Sequence, residues 1–149
     1  MTDYISFTIP GRPIPMGRSK STKAGHHYTP IRTRVWQEQA RPFVQQAMAG
    51  REMLEGPVAL EIIFGFTPPK SWAKSKKDKS IGDSIISKNA GDLDNLVSNC
   101  MNLMTGIVYK DDSQVSSLLT EKFYWNEDYV SLKLWGHGSG TGREVRGFG

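Results

Sequence analysis

The sequence predicts an α+β fold, a mixed β-sheet with two main helices packed largely on one face. Three observations predict it. From Val58 to Phe66 apolar residues alternate without a break (Val58, Leu60, Ile62, Phe64, Phe66), the period-two signature of a strand with a buried face. Two stretches, 31–49 and 93–104, instead carry apolar residues three and four apart, the helical period. The patterns follow in the order β, loop, α, β, loop, α, short β, β, β, with no internal repeat. At 149 residues the chain is one domain by length and can bury a core without staples.

Tyr4 to Ile9 places Ile5, Phe7 and Ile9 on one face of a strand that Pro10 ends. Gly11 to Pro30 has no period and is rich in Gly, Pro, Ser and basic residues, so it reads as a long loop, functional or mobile. His26 and His27 within it read as surface residues or occasional phosphate contacts. Val35, Trp36, Ala40, Phe43, Val44, Ala47 and Met48 form a helical stripe read as core rather than as a base-stacking platform. Pro42 predicts a kink there, or two helical segments. Gly50 and Gly56-Pro57 bracket a turn, and Thr67-Pro68-Pro69 stops the central strand. The lysine-rich stretch 70–89 is aperiodic and reads as a loop, partly disordered without its ligand. Trp72 in it reads either as a docking residue or as packed on the body.

Leu93, Leu96, Val97, Cys100, Met101 and Met104 define one buried helical face. Asp94 is placed as its N-cap and Thr105-Gly106 as its stop. Ile107-Val108-Tyr109 then reads as a short strand, followed by a polar Lys-Asp-Asp-Ser turn. A long strand over 114–125 and a second marked by Val130, Leu132 and Leu134 are joined by an Asn126-Glu127-Asp128 hairpin turn. Residues 136–149 hold six glycines and read as a flexible tail, which leaves 1–135 as the folded domain.

With 38% hydrophobic and 23% charged residues the composition is that of a globular protein rather than a disordered or membrane chain. The single cysteine excludes an intrachain disulfide, and Cys100 falls on the apolar helix face as a small core residue. No run is long enough for a transmembrane helix and no signal-peptide core is evident, so the expected location is cytoplasmic, with no membrane partner. The net charge of +4 is unevenly spread. Between Gly11 and Arg41, Arg12, Arg18, Lys20, Lys23, Arg32, Arg34 and Arg41 stand against one acid, Glu38; six lysines between 70 and 88 stand against Asp78 and Asp83. Acids concentrate from Asp92 onward. Basic arms around an acidic centre suit a polyanion held beside a metal ion.

That centre is the stretch 91–115, GDLDNLVSNCMNLMTGIVYKDDSQV. Asp92 and Asp94 precede the helix; Asp111 and Asp112 follow it. A strand running back along a helix of about 18 Å (12 residues at 1.5 Å each) would return the second acid pair to the first. Carboxylates so gathered repel unless a cation is present, and hard oxygen ligands select hard cations such as Mg²⁺.

The stretch resembles the core motif of the RusA-type endodeoxyribonucleases, the Holliday junction resolvases of phages and prophages. The likeness is close over Asp92 to Leu96 and closer over Gly106 to Val115. It extends weakly to most of the chain, including the Pro-x-Pro-x-Gly-Arg-like start at Arg12 to Arg18 and Tyr28-Thr29-Pro30. The resemblance implies a phage-type, Mg²⁺-dependent (magnesium) endonuclease acting on branched DNA (four-way junctions), with Asp92, Asp94 and Asp112 as the catalytic metal ligands. It also implies a homodimer, because a four-way junction presents two symmetric cleavage points. Three positions depart from the pattern: Gly91 stands for Pro, Ser98 for a Lys associated with catalysis, and Asn102 for an Asp. Lys88, Lys110 and Lys122 are the candidate replacement cations, and Arg12, Arg18, Lys20 and Lys23 the candidate DNA-backbone contacts. Asp111 could orient water and Asn95 could fix a carboxylate. Because Ser cannot replace a Lys, a branched-DNA binding protein with little or no cleavage is the alternative reading.

Overall fold

The computed structural model describes residues 4–17, 20–21, 27–28 and 30–137. Readings made on Arg18, Lys23, His26 and the tail from 138 onward lie outside the described residues, as do the side chains of Lys20, His27 and Lys88. In chain order the elements are β1 (Ile5–Pro10), β2 (Lys20–Ser21), β3 (His27–Tyr28), α1 (Ile31–Ala47), β4 (Val58–Phe66), α2 (Lys74–Ser80), α3 (Leu93–Met104), β5 (Val115–Tyr124) and β6 (Tyr129–Gly136). β2 and β3 pair only with each other. The other four strands form one mixed sheet in the order β1-β6-β4-β5, with β4 and β5 parallel and the remaining pairs antiparallel.

The alternation in the strands sets the core. Ile5 and Ile9 of β1, Val58 to Phe66 at every second residue of β4, and Val130, Leu132 and Leu134 of β6 are buried on one face. In register Leu134 lies between Ile5 and Leu60, and Val130 between Ile9 and Phe64. That face is covered by Trp36, Ala40 and Val44 of α1, by Met48 just after it, and by Leu96, Val97, Cys100, Leu103 and Met104 of α3. Cys100 is a free, buried thiol whose pKa is pushed up by desolvation. Phe7 shares the covered face, opposite Leu132, and is half-buried at its edge; the other face holds Glu61, Ile63, Lys133 and Trp135, all half-buried. α1 runs through Pro42 as one helix, so of the two expectations, a kink or two segments, the second is ruled out. Pro42 and Glu38, whose carbonyl loses its usual donor, both lie on the exposed side, where water can serve instead.

Three local expectations are corrected, and one that was left open, at Trp72, is decided. The lysine-rich stretch contains a helix, α2, with an exposed Lys74–Asp78 ion pair at 3.1 Å and Ser80 as its one buried residue. It has no apolar face, so no period could reveal it. Trp72 ahead of it packs edge-on against Tyr124 at 5.3 Å, so it is part of the body. The triplet Ile107-Val108-Tyr109 is not a strand but the close of a tight turn: Gly106 takes φ +86° and its N–H donates to the Tyr109 carbonyl at 2.7 Å. Its apolar residues fill the end of the core, with Val108 and Tyr109 fully buried. Finally, β5 and β6 are not hairpin partners, because β4 lies between them. Residues 126–128 carry the chain across the end of β4. Trp125 N–H donates to the Phe66 carbonyl at 2.8 Å, and Asp128 Oδ1 accepts from Thr67 N at 2.7 Å and from Thr67 Oγ1 at 3.0 Å.

The Tyr109 hydroxyl ties the turn back to α3 by donating to the Met101 carbonyl at 2.9 Å. That carbonyl also accepts from the Thr105 side chain, so Tyr109→Phe leaves no orphaned acceptor. Loss of one buried hydrogen bond should cost about 1 kcal/mol. We expect a melting temperature lower by about 2–4 °C for a chain of this size, read by calorimetry.

Candidate active site

The site is built at the start of α3. Gly91 makes the entry turn at φ +91°, a region closed to proline, and a Cβ there would lie 2.9 Å from Pro15 Cγ. Asp92, not Asp94, is the N-cap residue: its carbonyl accepts from Asn95 N and Leu96 N at 3.1 and 3.0 Å. The helix begins two residues earlier than expected because Leu93 already belongs to the buried face. The Asp92 side chain makes no capping hydrogen bond, and Asp94 Oδ1 accepts from Asn95 N at 2.9 Å. Both carboxylates are therefore exposed and open to an external ligand on the positive end of the helix.

Two cations reach the carbonyls just ahead of them. Lys122 of β5 donates from Nζ to Gly91 O at 2.7 Å, and Arg12 donates to Asn89 O at 3.3 Å. The segment 11–17 is laced to α3 by Met16 N–H to Asn95 O at 2.8 Å and by the Asn99 amide to Ile14 O at 2.8 Å. Asn99 is fully buried and also accepts from Gln37 Nε2 at 2.7 Å, so it joins α1, α3 and the loop carrying Arg12. Its positioning role was missed in the sequence. The available signal was a polar residue between Leu96 and Leu103, three and four positions away, on a buried face. Asn102 accepts from the same Gln37 at 3.0 Å, and Ser98 is exposed one turn beyond Asp94.

Asp112 lies elsewhere. The turn at the end of α3 leaves Lys110, Asp111 and Asp112 at that end instead of returning them along the helix. Burial first and then the Asp112 charge raise the pKa of Tyr109, whose hydroxyl contacts Met101 in the last turn of α3. Along the sheet, Val115 pairs with Val58 while Lys122 pairs with Phe64, about 20 Å further on at 3.3 Å per residue. The two acid groups are separated by roughly the 18 Å length of α3. Among the described residues no three His, Cys, Asp or Glu side chains stand close enough to hold a metal ion. Asp111 caps a 3-10 turn, accepting from Ser113 N at 2.9 Å, which holds its carboxyl below the ordinary range. Gln114 Oε1 completes the turn by accepting from Asp111 N at 3.1 Å. Lys110 is exposed at the same end, away from Asp92.

Known proteins give matching findings. The family model described as Endodeoxyribonuclease RusA matches residues 10–134. An uncharacterized protein of Bacillus subtilis (strain 168), YqaN, is 29% identical over 137 residues, covering 89% of this chain and 96% of that protein.

Proposed function

Because the chain belongs to the endodeoxyribonuclease RusA family, we propose that it is a Mg²⁺-dependent endonuclease that resolves four-way DNA junctions as a homodimer. The observation that carries this is the start of α3: two open carboxylates, Asp92 and Asp94, with Lys122 and Arg12 at the adjoining carbonyls. The donor set fits Mg²⁺, which is commonly held by one or two carboxylates plus phosphate oxygens of the substrate. When bound, the ion supplies an activated water and neutralises the leaving oxygen. Lys122 adds a fixed positive charge for the phosphate, and Arg12 one that can hold the neighbouring backbone.

The third acid enters from a second copy. Asp112 sits at the far end of α3, and a two-fold pairing sets the far end of one copy against the near end of the other. The partner's Asp112 then joins Asp92 and Asp94, and Lys110 travels with it. Two features suit such a pairing. Asn95, Ser98 and Asn102 make an exposed, uncharged face on α3. On the outer edge of β5, segment 82–85 bonds only the second half; the first half has no strand partner among the described residues and exposes Leu118 and Leu119 at 45% and 64%. No described helix is long and apolar enough to cross a membrane.

A synthetic four-way junction incubated with Mg²⁺ should be cut symmetrically across the branch, and chelation should stop cutting while binding persists. Tight, branch-selective binding with no cutting at any Mg²⁺ concentration would favour the binding-protein reading instead.

A further inference from the structure

A cleft of about 400 Å³ opens beside the start of α3, between the end of β4 and the segment that leads into the helix. We propose that it reads one unstacked, amine-bearing nucleobase next to the cut, with Asp128 accepting from the exocyclic amine. The proposal rests on the nuclease reading above and adds a specificity determinant to it.

The cleft carries one fixed acceptor and one fixed donor. Asp128 is half-buried in its wall. Oδ1 takes both Thr67 donors, at 2.7 and 3.0 Å, which fixes the plane of the carboxylate. Oδ2 has no hydrogen bond among the described residues. Arg12 lies in the same lining, its guanidinium 5.1 Å from the centre of the Phe66 ring and one nitrogen on Asn89 O. Arg has five donors, so this contact leaves others for a ligand. Tyr124 supplies an aromatic wall, braced by the edge of Trp72 at 5.3 Å. Aromatic walls of this kind stack on splayed bases.

The chemistry narrows the ligand. An ionised carboxylate only accepts hydrogen bonds and a guanidinium only donates. A cytosine edge satisfies both, with its amine to Asp128 and a ring acceptor to Arg12, and adenine offers a similar pair. Uracil or thymine turns a carbonyl oxygen toward Asp128 at the amine position, and a bare phosphate, although drawn by Arg12 and by the exposed Lys70 of the same lining, meets a like charge at Asp128 itself. Placement agrees: Ala90 in the cleft wall is two residues before Asp92, and Lys122 binds the carbonyl between them. Two residues span at most about 7 Å, so this wall of the cleft is close to the acids, and a base held in the cleft belongs to a nucleotide near the reacting phosphate. Bases at a branch point are already partly unstacked, which lowers the cost of extrusion.

The test uses the full chain and a set of four-way junctions in which single dC residues near the branch are replaced one at a time by dU. This swap exchanges the amine for a carbonyl. At one position flanking the cut, dU should lower cleavage by about tenfold to a hundredfold, the scale of one good base contact. In Asp128→Asn, Oδ1 still takes the Thr67 bonds and Nδ2 donates where Oδ2 accepted. The preference at that position should therefore disappear or reverse toward dU. Equal cleavage of dC and dU junctions at every position by the unaltered chain overturns the pocket and leaves the nuclease reading intact. If the chain cuts no junction, the nuclease reading fails, and competition binding of the same junctions decides: a dC preference at one position supports the pocket, equal affinities overturn it.

Discussion

Asp94→Asn should abolish junction cleavage while leaving junction binding unchanged or tighter. The carboxylate is exposed in the first turn of α3, and its one structural hydrogen bond, from Asn95 N to Oδ1, can still be accepted by an amide oxygen. The fold should be retained, with a melting temperature near that of the unaltered chain. The substitution weakens the hold on a cation and removes a negative charge that faces the phosphates, which is why binding does not suffer. Loss of a charge-stabilising group in a nuclease site should lower the single-turnover rate by at least about a hundredfold to a thousandfold. Quench-flow cleavage at saturating enzyme, alongside gel-shift affinity, separates the two effects. A variant that cuts at the normal rate would remove Asp94 from the site.

The second large effect is expected at Lys122. The family-like motif has a lysine where this chain has Ser98, and the exposed Ser98 hydroxyl cannot reach or neutralise a phosphate. Lys122 comes from a different element, β5, and brings its ammonium to Gly91 O at 2.7 Å, beside Asp92. We expect it to serve as the cation that the helix lacks. Lys122→Met keeps the half-buried stem and removes the charge, so it should slow single-turnover cleavage by about a hundredfold with a much smaller change in affinity. Adding Ser98→Lys to that variant should restore part of the rate, because position 98 lies one turn beyond Asp94 and projects back toward it. A Lys122→Met protein that cuts normally, or a loss that Ser98→Lys cannot offset in any measure, would assign Lys122 a structural role only.

How much of this was readable in the chain follows from which forces are local. β4 was plain because a central strand buried on one face must alternate, and α3 because its core residues must recur at helical spacing. Both depend on neighbours within a few positions. The insertion of β4 between β5 and β6 depends on a pairing partner some sixty residues away, and a turn signal at 126–128 specifies reversal without specifying the neighbour. α2 escaped because a solvated lysine helix has no apolar period. Ile107 to Tyr109 misled because three apolar residues have the composition of a strand but here fill the end of the core. The candidate acids were visible by type and spacing. Their separation was not, because it turns on Gly106 ending α3 in a tight turn instead of a returning strand. Lys122 was one of three candidate cations, and only the β5 register selects it over Lys110.

In the proposed dimer each active centre draws Asp92 and Asp94 from one copy and Asp112 from the other. Mixing two inactive proteins, Asp94→Asn and Asp112→Asn, under conditions that exchange subunits tests this arrangement. In a mixed dimer one centre collects both defects, and the other is complete. Random exchange makes half the dimers mixed with one intact centre each, so about a quarter of the normal centres should return, seen as nicking of one strand per junction. Mixed dimers that form, as shown by two different affinity tags recovered together, yet cut no faster than either parent would contradict a shared centre.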